Sequence, residues 1–123
     1  MKRIVLIIAF LSIGVTFAQN AKVESKVISK FQKAYNDSNY KGIYAMYSEN
    51  KQETFSLEDT KAFFERVHAA KGDITSLTLV RNQKEYTVYK AVFTKTVGEV
   101  VIKLNNKGKA DILSTRNTEA VKQ

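Results

Sequence analysis

The residues of this chain that could carry covalent chemistry are few, and their spacing argues against a catalytic serine. Ser48-Glu49-Asn50-Lys51 fits Ser-x-x-Lys, Asp37-Ser38-Asn39 approximates Ser-x-Asn, and Lys95-Thr96-Val97-Gly98 approximates Lys-Thr-Gly. A hydrolase with a lysine-assisted serine nucleophile needs these in the order Ser-x-x-Lys, Ser-x-Asn, Lys-Thr-Gly, because each forms a fixed wall of one cleft. Here the middle motif comes first, the last carries an inserted Val97, and 123 residues are too few for that architecture. His68 is the only histidine and cysteine is absent. A lone histidine without paired carboxylates or a second histidine at metal-ligand spacing does not build a metal site. His68 has the pKa range of a general base, but its place one turn after Phe64 reads first as the edge of an apolar helical stripe. Asn36-Asp37-Ser38 matches the glycosylation sequon, a weak signal at any single site.

Length and composition set the frame. Lys2 and Arg3, the apolar run Ile4 to Phe17 and the small residues around Ala18 read as a signal peptide cleaved before Gln19. The run is too short for a spanning helix, so no membrane span is expected after cleavage. The expected location is secreted or periplasmic. The domains are then a signal peptide, 1–18, and a single α+β domain, 19–123. Without Lys2 and Arg3 the chain keeps 18 basic against 12 acidic residues, a formal charge of +6. A positive surface speeds encounter with anions such as headgroups, cell-surface polysaccharides or acidic proteins. The lysines are widely spaced and form no run, which favours dispersed solubility charge. There is no glycine-rich phosphate loop and no interleaved aromatic platform, so nucleic acid is not an expected partner.

Periodicity then supplies the elements. Val23, Val27, Phe31, Ala34 and Tyr35 recur at helical steps over 21–36. Tyr40 to Tyr47 reads as a second helix after the Asn36–Asn39 breaker, and Lys51 to Phe55 as a brief extended segment. Ser56-Leu57-Glu58-Asp59 is a strong helix start, and Gly72 a stop for that third helix. After Gly72 the period changes to two. Ile74–Arg81, Glu85–Lys95, Glu99–Leu104 and Ala110–Thr115 read as four strands joined by short turns, an antiparallel meander. The fold class is therefore α+β, with three N-terminal helices on one face of a curved sheet of four to five strands. In the second strand Tyr89, Ala91 and Phe93 point one way and Tyr86, Val88 and Val92 the other. With Val101 from the third strand, the second set makes a partly apolar outer face. Such a face suits a homodimer or a protein partner, while β-branched and aromatic residues also suit strands wherever they point.

This order of elements resembles the nuclear transport factor 2-like (cystatin-like) cone. Within it, Phe31 to Arg116 resembles a bacterial domain family of unknown function that also occurs ahead of serine β-lactamase-like hydrolases. The residues that carry the resemblance are Phe31, Asn39-Tyr40, Tyr44-Ala45-Met46-Tyr47-Ser48, Phe55-Ser56-Leu57-Glu58, Phe63-Phe64 and Gly72-Asp73-Ile74. It implies a fold and carries over no catalytic residues. It also implies a pocket between helices and sheet, with Tyr35, Tyr44, Tyr47, His68, Tyr89 and Phe93 as cavity candidates. If the domain were an enzyme, Tyr89 and Asp111 would transfer protons in that pocket, as in ketosteroid-isomerase- or dehydratase-like enzymes. Rings that simply fill the cone are the plainer reading. The expectation is an exported, non-catalytic binding or interaction domain without cofactor or metal. It would hold a small apolar ligand in the cone or dimerise through Tyr86, Val88, Val92 and Val101.

Overall fold

A computed structural model describes residues 22–118; the signal-peptide segment expected at the N-terminus lies outside them. The first helix, α1, covers residues 22–36. Its apolar stripe buries Ile28, Phe31, Ala34 and Tyr35, the last three on the residues expected. It closes on Ser38, whose φ of 59° lies in the left-handed region. The Asn39 amide then bonds the Ala34 carbonyl at 2.7 Å and the Ser38 amide bonds that of Tyr35 at 3.1 Å. This is the hydrogen-bond pattern that usually recruits glycine. Asn39 caps the next helix, α2 (Tyr40–Met46), by accepting from the Gly42 amide. A Cβ at Gly42 would crowd that same cap, at 2.6 Å from Asn39 Nδ2.

The next segment departs from expectation. Glu49–Thr54 is a helix, α3, where an extended stretch over Lys51–Phe55 was anticipated. The helices therefore number four among the described residues, and the sheet has four strands without a fifth. The cause is Ser48, whose hydroxyl accepts from the Lys51 amide while its own amide bonds the Ala110 carbonyl at 2.8 Å. Tyr47 makes only an isolated parallel bridge to Ala110. Lys51 places its ammonium 4.7 Å from the Phe55 ring centroid and 5.6 Å from that of Tyr47. The Ser-x-x-Lys spacing is thus a helix cap followed by a cation over two rings.

Helix α4 (Leu57–Lys71) starts with a capping box between Ser56 and Asp59 and stops at Gly72, φ 83°. A Cβ there would collide with Thr94 Oγ1. Then come β1 (Ile74–Asn82), β2 (Thr87–Phe93), β3 (Val97–Leu104) and β4 (Ala110–Asn117). They form one antiparallel sheet in sequence order, as the short turns predicted. Ala91, Phe93, Val100, Ile102 and Leu113 meet Phe31, Tyr35, Ile43 and Phe64 in the core between helices and sheet. Helix α1 is pinned to the start of β1 by Asn36, which accepts from the Ile74 amide at 2.8 Å and donates to its carbonyl at 2.9 Å. Among the described residues no helix is long and apolar enough to cross a membrane.

Ser38 tests this account of α1. A side chain in the left-handed region costs about 1 kcal/mol, so Ser38→Gly is expected to raise unfolding free energy by about that amount. Ser56→Ala, which removes the α4 cap, is expected to lower it by about 1 kcal/mol. Urea denaturation with an unchanged slope would register both.

Candidate functional site

The interior candidates are packed against one another. Nine rings form a continuous chain of contacts: Tyr44, Tyr47, Phe55, Phe63, Phe64, Phe31, Tyr35, His68 and Phe93. Neighbouring centroids lie 4.8–6.3 Å apart, mostly edge to face. Tyr35 is wholly buried and donates to the Gly72 carbonyl at 2.8 Å. Tyr47 is buried too. Its hydroxyl has no partner in hydrogen-bonding geometry, and the neighbouring Thr60 hydroxyl donates to the Ser56 carbonyl at 2.8 Å. Burial pushes the Tyr47 pKa upward. His68 Nε2 lies 2.6 Å from Asp73 Oδ1, a pair that joins the end of α4 to the start of β1 at the surface.

Tyr89 and Asp111 are not neighbours. Tyr89 stands opposite Val100 and, through it, Thr115; Asp111 lies two strands away and four residues before Thr115 on β4. The Tyr89 hydroxyl instead donates to Glu24 Oε1 on α1 at 2.9 Å, and Thr87 Oγ1 is 3.4 Å from Glu24 Oε2. Burial first, then the Glu24 hydrogen bond and charge, raise the Tyr89 pKa above its ordinary value of 10.0. A tyrosine so held keeps its proton and spends it on Glu24. The pair acts as a tether between the start of α1 and the sheet.

On the other face of the sheet, Val88, Val101 and Ser114 form one cross-strand row. Tyr86 and Arg116 flank the row from opposite sides and meet over it, the guanidinium 5.5 Å from the ring centroid. Arg116 Nε also donates to Glu99 Oε1 at 2.8 Å. Under this lid Val88 is 0% exposed and Val101 7%. Val92, near the β2–β3 turn, is half-buried.

A well-formed concavity lies elsewhere, at the end of the sheet where α1 begins. It is an open trough of about 890 Å3 between the first residues of α1, the β1–β2 turn and the β3–β4 turn. Five lysines line it: Lys22, Lys26, Lys84, Lys103 and Lys107. All five are exposed. Among the described residues Glu24 is the one carboxylate in the lining, and its two oxygens face the Tyr89 and Thr87 hydroxyls. The amides do not offset this charge. Asn82 Oδ1 is 3.2 Å from the Thr87 hydroxyl, and Asn105 Oδ1 accepts from the Lys107 and Lys109 amides at 2.9 and 3.0 Å. Asn105 is left to present its NH2 group. The trough is therefore rich in cations, and between them lie amide side chains and the apolar groups of Val23, Tyr86, Ile102 and Leu104.

Sequence reasoning singled out none of the five lysines, and it named Tyr86, which also lines the trough, for a different role. A signal for them existed in the meander itself. Its first and third turns must lie at the same end of the sheet, and both carry lysine, as do the first turns of α1.

Fold and site together define a small α+β domain, a helix-covered antiparallel meander with a basic trough at one end. The chain belongs to the protein family of unknown function DUF3887, whose family model matches residues 29–111. The match takes in both lysine-bearing turns, while Lys22, Glu24 and Lys26 precede it. No curated protein and no solved structure matches the chain.

The buried tyrosines set an alkaline limit on stability. Burial and then the charge of Asp73 raise Tyr35, as burial and Glu24 raise Tyr89. Their folded pKa values exceed the unfolded ones, so their contribution is complete below about pH 10 and is lost as pH rises beyond it. The denaturation midpoint is expected to be level from neutral pH to about 9.5 and to fall steeply above about 10. Tyr35→Phe with Tyr89→Phe should flatten that fall, while costing about 1 kcal/mol per lost hydrogen bond at neutral pH.

Proposed function

We propose that this chain is an exported, non-catalytic binding domain of the nuclear transport factor 2-like kind, whose ligand is an anion held in the basic trough. The observation that carries the reading is the convergence of five lysines on one trough whose single carboxylate is engaged by hydroxyls. Like charges brought together on a surface raise local potential and favour encounter with an oppositely charged ligand. The leader-like segment at residues 1–18 supports export.

The other expected roles receive less support. A ligand in the cone would have to displace the ring chain around Tyr35 and Phe64, both 0% exposed. A homodimer through Tyr86, Val88, Val92 and Val101 would gain little apolar burial, because Tyr86 and Arg116 already cover Val88 and Val101. Proton transfer by Tyr89 and Asp111 lacks a shared site.

Two measurements test the proposal. Expressed with its leader in a bacterial host, the exported protein should show Gln19 as its N-terminus by intact mass; retention of residues 1–18 would remove the export reading. Inorganic polyphosphate serves as a featureless polyanion for calorimetric titration. Binding is expected at low salt and should weaken as salt rises. The triple variant Lys26→Glu, Lys84→Glu, Lys107→Glu should lose affinity by about tenfold or more. The variant Lys30→Glu, Lys41→Glu, Lys61→Glu makes the same change in net charge away from the trough and should lose less than about threefold. Equal losses in the two variants would mean that the trough has no special part.

A further inference from the structure

What surrounds the trough narrows the anion it meets, an inference that rests on the anion-binding and export readings above. Segments 22–26, 79–87 and 103–111 make up this end of the domain. They hold seven basic against three acidic residues, whereas the rest of the described chain holds ten against eight. The positive surplus is thus concentrated here. Apolar groups stand out to solvent at the same end. Among the described residues the exposed large apolar side chains are Val23, Leu57, Leu79, Val80 and Val97, and three of them belong to these segments. Leu79 is 57% exposed and Val80 49%. Leu79 stands opposite Tyr89, whose hydroxyl meets Glu24 beside Val23. Val80 falls at a shift in the β1–β2 register, two residues before Asn82 in the trough. Within the trough itself, Val23, Tyr86, Ile102 and Leu104 lie between the lysines. Ammonium groups around exposed apolar side chains suit a bilayer interface, where anionic headgroups lie above the first apolar atoms of the lipid.

The order of the chain also brings this end to a membrane. In the leader reading, the apolar run Ile4 to Phe17 is the part that engages the bilayer during export, and residues 18–21 alone separate it from Lys22 at the start of α1. Four residues span at most about 14 Å, so the start of α1, and the trough with it, emerges beside lipid. An acidic segment of another protein is a different class of anion, and it would add to the free edge of β1. That edge is poorly suited to it. The β1 register shifts at Thr75 and at Val80, and Asn36 already takes the amide and the carbonyl of Ile74. Irregularities of this kind blunt an edge strand against further pairing. We propose that this end of the domain is a docking surface for an anionic bilayer. The lysines meet lipid phosphates, and Val23, Leu79 and Val80 enter the interface among them.

The test mixes the chain from Gln19 onward with vesicles of phosphatidylglycerol and phosphatidylcholine in equal parts, or of phosphatidylcholine alone, and measures bound protein by sedimentation. Binding to the mixed vesicles is expected to exceed binding to phosphatidylcholine by at least about tenfold. The double change Leu79→Ser, Val80→Ser touches exposed side chains outside the trough lining. It should weaken binding to mixed vesicles about tenfold and leave polyphosphate binding within about twofold of the parent. Val97→Ser, at the opposite end of the sheet, should change neither. The chain has no tryptophan, so Leu79→Trp supplies a single reporter. Its emission should shift to the blue on mixed vesicles and be quenched by brominated lipid, while that of Val97→Trp should do neither. Polyphosphate binding without vesicle binding would overturn the docking surface and leave the anion-binding reading standing, as would vesicle binding that the double serine change leaves intact. Binding to neither polyphosphate nor vesicles would overturn both. Binding of poly-glutamate that the double serine change abolishes, with no binding to vesicles, would overturn the bilayer assignment in favour of an acidic protein.

Discussion

The interaction on which the rest of the structure depends is the seating of Tyr35. Its ring touches Phe31, Phe64, His68 and Phe93, and its hydroxyl donates to the carbonyl of Gly72. One side chain thereby joins α1 to α4, to β2 and to the bend that leads into β1. Each aromatic pair is worth about 0.5–1.5 kcal/mol beyond the area it buries, and a domain this small has few other means of closing. The chain has no cysteine and no proline, so neither a disulfide nor a stiffened loop limits the unfolded state. Gly72 is fixed by the same junction, since any Cβ there would collide with Thr94.

With one end of α1 set by Tyr35 and by the Asn36 bonds to Ile74, the other end is set by Glu24. The carboxylate draws the Tyr89 and Thr87 hydroxyls toward the start of the helix. This places Lys22 and Lys26 across from the two lysine-bearing turns. Five ammonium groups in one trough repel each other, but all are exposed, so water and salt screen the repulsion and the cost to folding is small. An anion in the trough would relieve what repulsion is left. Stability and binding thus draw on the same helix from opposite ends. The core needs the Tyr35 end to close, and the trough needs the Glu24 end to exist.

Much of the fold was legible in the residues. The three- and four-residue steps of Phe31, Ala34 and Tyr35, the Ser56 start signal, the Gly72 stop and the period-two strands each follow from local sterics and one buried face. Helix α3 was not legible, because Lys51 to Phe55 has neither a helical stripe nor a stop signal. Its form is decided by contacts from afar: the Ala110 carbonyl holds Ser48 in place as a cap. The outer face misled in a similar way. Val88 and Val101 look exposed in an alternating pattern, yet Tyr86, just before β2, and Arg116, from β4, meet above them.

The sequence by itself determined the order of elements, the meander and the composition of the core, because these depend on the chemistry of residues close together along the chain. Tertiary structure alone decided which lysines share a site, which hydroxyls the carboxylates meet, and that Tyr89 bonds Glu24 while Asp111 lies elsewhere. Lys22 and Lys26 are separated from Lys107 by most of the domain, and only the antiparallel return of the strands brings them to one end. Charge adds in space, where a screened field reaches roughly 10 Å, and the spacing of lysines along a chain does not record that distance.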